Sequence, residues 1–270
     1  MPALEGDRDD LRLLIEAALS AGEIAKRHFR NAPKVWDKGD GQGPVTEADL
    51  EVNEHLHAVL AKARPGYGWL SEESNPLGNL ARLKHDSVFV VDPIDGTRAF
   101  IDGQPGFAHA LAVVRGGEPV AAAVHLPELG LTYGAVLGGG ATLNGAPVTV
   151  SDPALVAQPT MLAARPALDP VHWPGGMPAV KREFRPSLAW RLALVGEGRF
   201  DSMLTIRDAW DWDIAGAALI ASEAGARVTD RLGRKLRFNR IEAKNAGVIA
   251  AAPGLHAALL AGLTGKAERG

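Results

Sequence analysis

Asp92 and Asp95 stand three residues apart in the stretch VFVVDPIDGTRAF, Val88 to Phe100. An apolar run that reads as a buried strand leads directly into them. Held close and bare, two carboxylates repel, and each raises the pKa of the other. A divalent cation removes that conflict, and hard oxygen ligands suit Mg2+. Pro93 fixes its own φ and stiffens the turn between the two acids. Gly96 and Thr97 follow at what reads as a helix start, where free backbone N–H groups form an anion site suited to phosphate. A cation site beside an anion site is what metal-assisted phosphoryl transfer needs. The plain alternative is an Asp/Gly turn joining a strand to a helix.

Three further groups carry acids that such a site would use. Glu72 and Glu73 lie in WLSEES, where one of them could complete a cation shell or both could form a solvated acidic loop. Asp211 and Asp213 flank Trp212 just before the apolar run IAGAALI. Acids there serve either as helix caps or as a ligand delivered from the far part of the chain. Thr46 and Asp49 have the spacing of a capping box, and Asp49 could also orient a catalytic Thr hydroxyl and a water. The histidines look less useful. His55 and His57 are two apart on a helix and cannot face one ligand. His85, His109, His125 and His172 show no metal spacing and read as structural or surface residues.

The elements that must position these groups follow from periodicity. Residues 9 to 30 read as an amphipathic helix with Leu11, Leu14, Ile15, Ala18, Leu19, Ala25 and Phe29 on the inner face. NAPKVWDKGDGQGP is a Gly/Pro-rich loop. A second helix starts near Thr46, with Leu56, Val59, Leu60 and Ala63 inward. SVFVV, HALAVVR, EPVAAAVHL and LTYGAVL read as strands of an antiparallel meander, and LNGA as a hairpin turn. TMLAAR is a short strand, and 166–186 is irregular. SLAWRLALVGEG and DWDIAGAALIASEAGA are helical, the latter closed by Gly225. ARVTDRLGRKLRF reads as a hairpin, AGVIAAAP as a buried strand and GLHAALLAGL as a closing helix. Strands and helices mix without strict alternation, which indicates a layered α+β and α/β architecture.

Composition narrows the function further. The chain has 270 residues, 46 % apolar and 23 % charged, enough for a substantial core in one large domain or two small ones. The net charge is −3 and no basic run is long enough to grip a nucleic-acid polymer. With no cysteine, disulfides and thiolate metal sites are excluded. The start MPALEGDRDD has no apolar signal core, and no apolar stretch reaches ~18 residues, so no membrane span is expected. A cytoplasmic location is the default expectation.

Taken in order, PVTEAD, LSEES, VVDPIDGTRAF and WDWDIAGAA resemble the inositol monophosphatase superfamily of Mg2+-dependent, Li+-sensitive phosphomonoesterases, over about residues 10 to 255. That resemblance implies an αβαβα sandwich. An α+β part, residues 1–140, would carry the main metal and phosphate site. An α/β part, 141–270, would supply Asp213 and substrate contacts. It implies two or three Mg2+ ions, with Glu72, Asp92 and the Ile94 carbonyl holding one and Asp92, Asp95 and Asp213 another. Gly96 and Thr97 would bind phosphate, while Thr97, paired with Asp49, and Glu72 would activate the attacking water. Arg98 and the SLAWR residues Ser187 and Arg191 are the candidate substrate contacts.

Two details favour one subgroup. Ser71 precedes the Glu pair where inositol monophosphatases usually have Gly, and Arg98 stands where they usually have Thr. Arg98 and LALVGEGRFD look more like the 3'(2'),5'-bisphosphate nucleotidases, which remove the 3'-phosphate of adenosine 3',5'-bisphosphate, a by-product of sulfate assimilation; the alternative for Arg98 is a plain surface charge on the helix. Arg185-Pro186 departs from the small Gly-containing turn expected before SLAWR. The alternatives are an inositol-1-phosphatase or other polyol or sugar phosphatase, and a non-catalytic metal-binding relative. The expected partner is a small phosphorylated metabolite; homodimer formation stays open.

Overall fold

A computed structural model describes residues 2–37, 39, 43–74, 79–152 and 158–265. In chain order it contains α1 (Pro2–His28), β1 (Val35–Asp37), β2 (Pro44–Thr46), α2 (Glu47–Ala63), β3 (Gly68–Ser71) and β4 (Ser87–Asp95). Next come α3 (Thr97–Ile101), β5 (Ala108–Arg115), β6 (Glu118–Leu126), β7 (Leu131–Val136), β8 (Gly140–Leu143) and β9 (Ala146–Pro147). The remainder is β10 (Thr160–Ala163), β11 (Lys181–Glu183), α4 (Leu188–Gly196), β12 (Ser202–Thr205), β13 (Ala209–Trp210) and α5 (Asp211–Glu223), then β14 (Arg227–Thr229), β15 (Lys244–Asn245), β16 (Val248–Ala251) and α6 (Pro253–Thr264).

Side-chain alternation sorts these elements into five layers. Phe89, Val91, Leu111, Val113, Ala121 and Ala123 point to one side of the β3-to-β9 sheet and pack on α1 and α2. Val88, Val90, Ala110, Ala112, Ala122 and Val124 point to the other side, onto α4 and α5. A second sheet, ordered β11-β10-β12-β16-β14, covers the far side of those two helices. Its outer face, with Met161, Leu204 and Ile249, packs on α6. Both sheets are covered on both faces, so their strands read as nearly continuous apolar runs. The result is the αβαβα sandwich, and the meander over β4 to β9 is antiparallel throughout.

Helix α5 sits in the middle layer and is buried almost all round, which is why its sequence shows no one-sided periodicity. Gly216 lets it lie close to the first sheet. A Cβ there would stand 2.8 Å from the Leu111 carbonyl oxygen. The Asn-Gly turn is as expected: Asn144 and Gly145 take φ of 49° and 81° between β8 and β9.

Several expectations need correction. Helix α1 begins at Pro2 rather than residue 9, and Leu19 is 45 % exposed, because the inner face is set by Leu14, Ala17, Ala18 and Ala21. Ala63 is exposed at the end of α2. The 227–238 hairpin does not form. Strand β14 pairs with β16, and the Asp230 carboxylate accepts from the N–H groups of Leu232 and Arg234, which turns the chain without a second strand. Strands β3 and β12 carry no signal in the sequence, and β11 forms inside 166–186, which reads as irregular; none exceeds four residues, too few to show a period. The loop at 31–44 contains the β1–β2 pair, and its residues 38 and 40–42 lie outside the described residues. Among the described residues, no helix is long and apolar enough to cross a membrane.

Candidate active site

The site begins with an irregularity in β4. Asp92 pairs with Ala110 and Asp95 with Ala108, so three steps on β4 match two on β5. Pro93 has no N–H to give the ladder, and a bulge at this point costs little. Its carbonyl turns inward and accepts from Nδ1 of the fully buried His109. The bulge brings Asp92 and Asp95 to the same side. Asp213, in the first turn of α5, joins them: one oxygen from each of the three carboxylates lies within 4.8 Å of the others.

Electrostatics show what this convergence lacks. Burial, then the charges of Glu72, Asp95 and Asp213, push the Asp92 carboxyl well above the ordinary range. Burial and the charges of Asp95 and Glu72 do the same to Asp213. Asp95 is raised by burial too, but hydrogen bonds from Ser187 and the Ala189 N–H pull it back. Asp92 Oδ1 is buried with no hydrogen-bond partner. An orphaned carboxylate oxygen among three crowded acids fits a hard divalent cation, which would fill the missing partner and cancel the repulsion. Glu72 faces the group through a hydrogen bond with Asp92. Its backbone N–H is tied to the Val91 carbonyl at 3.1 Å, which fixes the acidic loop against the end of β4. The Ile94 carbonyl accepts the Thr97 hydroxyl at 3.0 Å, leaving a second lone pair free for a cation.

Asp49 is an internal acid beside this group. It caps α2 reciprocally with Thr46, accepting the Thr46 N–H at 2.8 Å and its hydroxyl at 2.5 Å on Oδ2. Its other oxygen lies 3.3 Å from the Thr97 hydroxyl, whose one proton is shared between Asp49 and the Ile94 carbonyl. Burial pushes its pKa up to about 7, against the Thr46 hydrogen bonds, with Glu73 and Glu72 adding to the rise. The capping and the Thr97 contact thus coexist in one carboxylate. Gly96, at φ 98°, turns the chain from β4 into α3, a left-handed conformation that a side chain would strain.

Ser187 and Asp211 have different roles from those first considered. Ser187 is fully buried; its hydroxyl donates to Asp95 Oδ2 at 2.6 Å while accepting the Trp190 N–H at the start of α4. It therefore holds Asp95 instead of facing a substrate. Asp211 points away from the three acids, accepting from the Asn239 N–H at 2.7 Å and Asn245 Nδ2 at 3.1 Å, and braces the base of α5. Ser187→Ala is expected to lower stability by about 1 kcal/mol through the lost cap. The same change frees Asp95, so half-saturation with Mg2+ should shift to higher concentration. Thermal melts and Mg2+ titration of activity check both effects; an unchanged Mg2+ requirement would show that Ser187 serves only the helix.

A cavity of about 680 Å³ opens beside this group, lined by Glu72, Gly96 and Thr97 at one end. Arg98, Arg191 and Arg207 face it, as does an apolar wall that includes Pro166, Phe184 and Ile206. Arg98 and Arg191 were anticipated; Phe184 and Arg207 were not. No local pattern marks Phe184 in KREFRP, and only the fold turns it toward the cavity.

The profile of the inositol monophosphatase family matches residues 7–268. The chain belongs to that family. An inositol-1-monophosphatase from Mesorhizobium japonicum is 30 % identical over 237 residues, covering 83 % of this chain and 86 % of that protein. A 3'(2'),5'-bisphosphate nucleotidase CysQ from Aggregatibacter actinomycetemcomitans is 28 % identical, covering 86 % and 88 %. Among solved structures, the extragenic suppressor protein suhB of Bartonella henselae superposes with a TM-score of 0.81 at 28 % identity, covering 95 % of this chain and 98 % of that one. As a member of the inositol monophosphatase family the protein is a phosphatase, a hydrolase acting on small phosphate substrates, in a family that depends on Mg2+.

Proposed function

We propose that the protein is a 3'(2'),5'-bisphosphate nucleotidase that removes the 3'-phosphate of adenosine 3',5'-bisphosphate. The observation that carries this reading is the cavity wall. A nucleotide requires a flat apolar surface for its base and a cation for the phosphate that is not cleaved, whereas a polyol requires hydrogen-bonding side chains. The wall offers Phe184, Pro166 and Ile206 together with Arg98 and Arg207. Among the described residues neither guanidinium group has an ion-pair or hydrogen-bond partner, so both are available to an anion.

Glu72, Asp92 and the Ile94 carbonyl would hold one Mg2+, and Asp92, Asp95 and Asp213 another. Bound Mg2+ would supply positive charge to the phosphate oxygens and raise the acidity of water. The chain's own groups do the rest. Gly96 and Thr97 present backbone N–H groups to the phosphate at the start of α3. The Thr97 hydroxyl, within reach of both Asp49 and the Ile94 carbonyl, orients the attacking water with Glu72 near it. Asp49, poised near neutrality, takes one proton of the water through Thr97 as the new O–P bond forms; the ester O–P bond breaks, and the departing oxygen takes a proton from a second water to leave as an alcohol. In this reading residues 1–140 carry the main site and the later part of the chain supplies Asp213 and the substrate wall.

A second reading keeps the chemistry and changes the substrate to inositol 1-phosphate or another polyol phosphate, for which Asp102 and Gln104 on the same cavity are the suitable groups. Phosphate release from the two substrates with Mg2+, measured side by side, decides between them. The nucleotide is expected to have a kcat/KM higher by at least about tenfold, a 1.4 kcal/mol difference. A preference of that size for inositol 1-phosphate would refute the nucleotide reading and leave the metal site standing.

A further inference from the structure

Phe184 lies on the cavity wall with 46 % of its surface exposed. Its position is not loose. Strand β11 just before it pairs in parallel with β10. The next residue, Arg185, turns the opposite way, with its guanidinium 5.1 Å from the Phe200 ring centroid and 5.7 Å from that of Trp190. Arg191, from α4, reaches back across this turn. Its Nε donates to the Arg185 carbonyl and its Nη2 to the Pro186 carbonyl at 3.3 Å. Its guanidinium carbon lies 4.4 Å from the Phe184 ring centroid. One side chain thus anchors the backbone that bears the ring and covers the ring itself. Only 8 % of Arg191 is exposed, and Nη1 makes no hydrogen bond among the described residues.

A planar cation stacked on a ring stiffens that ring and leaves its open surface for a second flat group. We propose that Phe184, held by Arg191, is the specificity-determining platform on which the aromatic base of the substrate stacks, with Arg191 Nη1 free for an acceptor on the same ligand. The proposal rests on the nucleotide reading above and names the residues that enforce it. A base stacks on any aromatic ring of suitable size, so the platform selects an aromatic group over a polyol without reading the identity of the base.

The test is steady-state kinetics of Phe184→Ala and Phe184→Tyr on adenosine 3',5'-bisphosphate and inositol 1-phosphate, with Mg2+. The alanine variant should raise KM for the nucleotide about tenfold, in line with the loss of one base–aromatic stack, with kcat nearly unchanged. Inositol 1-phosphate kinetics should not move, and the tyrosine variant should return the nucleotide KM to the parent value. Equal losses on both substrates, or an unchanged nucleotide KM in Phe184→Ala, would overturn the platform. A parent enzyme that prefers the nucleotide while Phe184→Ala behaves like it would remove the platform alone. A parent enzyme that prefers inositol 1-phosphate would remove the nucleotide reading and the platform with it.

Discussion

Asp213→Asn should cut phosphate release by about 10³-fold or more, since bound metal is worth several kcal/mol of charge stabilisation in such a reaction. The same change should stabilise the metal-free protein. Asp92, Asp95 and Asp213 all have raised carboxyl pKa values in the fold, the first two being buried and all three crowded. For a group raised in the folded state, the linked stability is present below the unfolded value, here 3.8, and is lost as pH rises through the folded value. Metal-free protein therefore carries an electrostatic cost once pH rises through those raised folded values that it lacks in acid. Replacing Asp213 by a neutral amide removes part of that cost. Melting curves without Mg2+ should thus show Asp213→Asn increasingly above the parent as pH rises, the gap closing in acid. Added Mg2+ should raise the parent's melting temperature and leave the variant's much less affected. If Asp213→Asn released phosphate at the parent rate, or responded to Mg2+ as the parent does, Asp213 would not be a ligand.

Asp49→Asn should lower kcat by about 10²- to 10⁴-fold, the usual worth of a positioned general base. The fold should persist, because the asparagine carbonyl can still accept the Thr46 N–H and keep the start of α2 capped. The parent's pH profile supplies the sharper check. Asp49 is pushed up to about 7, so its base form is complete only above neutrality and kcat should climb with pH across that region. Glu72 and Glu73 contribute to the rise, so more Mg2+ near Glu72 should draw the acidic limb to lower pH. In Asp49→Asn the limb should vanish along with most of the rate. A profile that keeps the limb in the variant would assign it to another group and return Asp49 to a purely capping role.

Much of this site was legible in the linear order of residues. The strand before Asp92, the capping box at Thr46 and Asp49, and the apolar run after Asp213 are local patterns, and each produced the expected element. They are legible because a strand or helix start depends on neighbours a few residues away. The choice between Asp211 and Asp213 was not local. Both sit in the first turn of α5, and only the packing of that helix on β4 and β5 sends Asp213 to the three-acid group and Asp211 to Asn239 and Asn245. Ser187 reads as a substrate contact in the sequence, but in the fold it caps the start of α4 against Asp95. Phe184 carried no signal at all, since its exposure depends on a strand edge and on an arginine seven residues later.

The order of acids along the chain carried the resemblance to this family that the profile match over residues 7–268 shows, and the motifs PVTEAD, VVDPIDGT and WDWDIAGAA are legible because they are short, contiguous and tied to elements that form from near neighbours. Which acids meet, which brace the frame and what shape of cavity they border were decided by helix and sheet packing between segments more than a hundred residues apart, such as Asp92 and Asp213. Side-chain spacing within a segment is set by backbone geometry, whereas convergence across segments is set by how their apolar faces pack together.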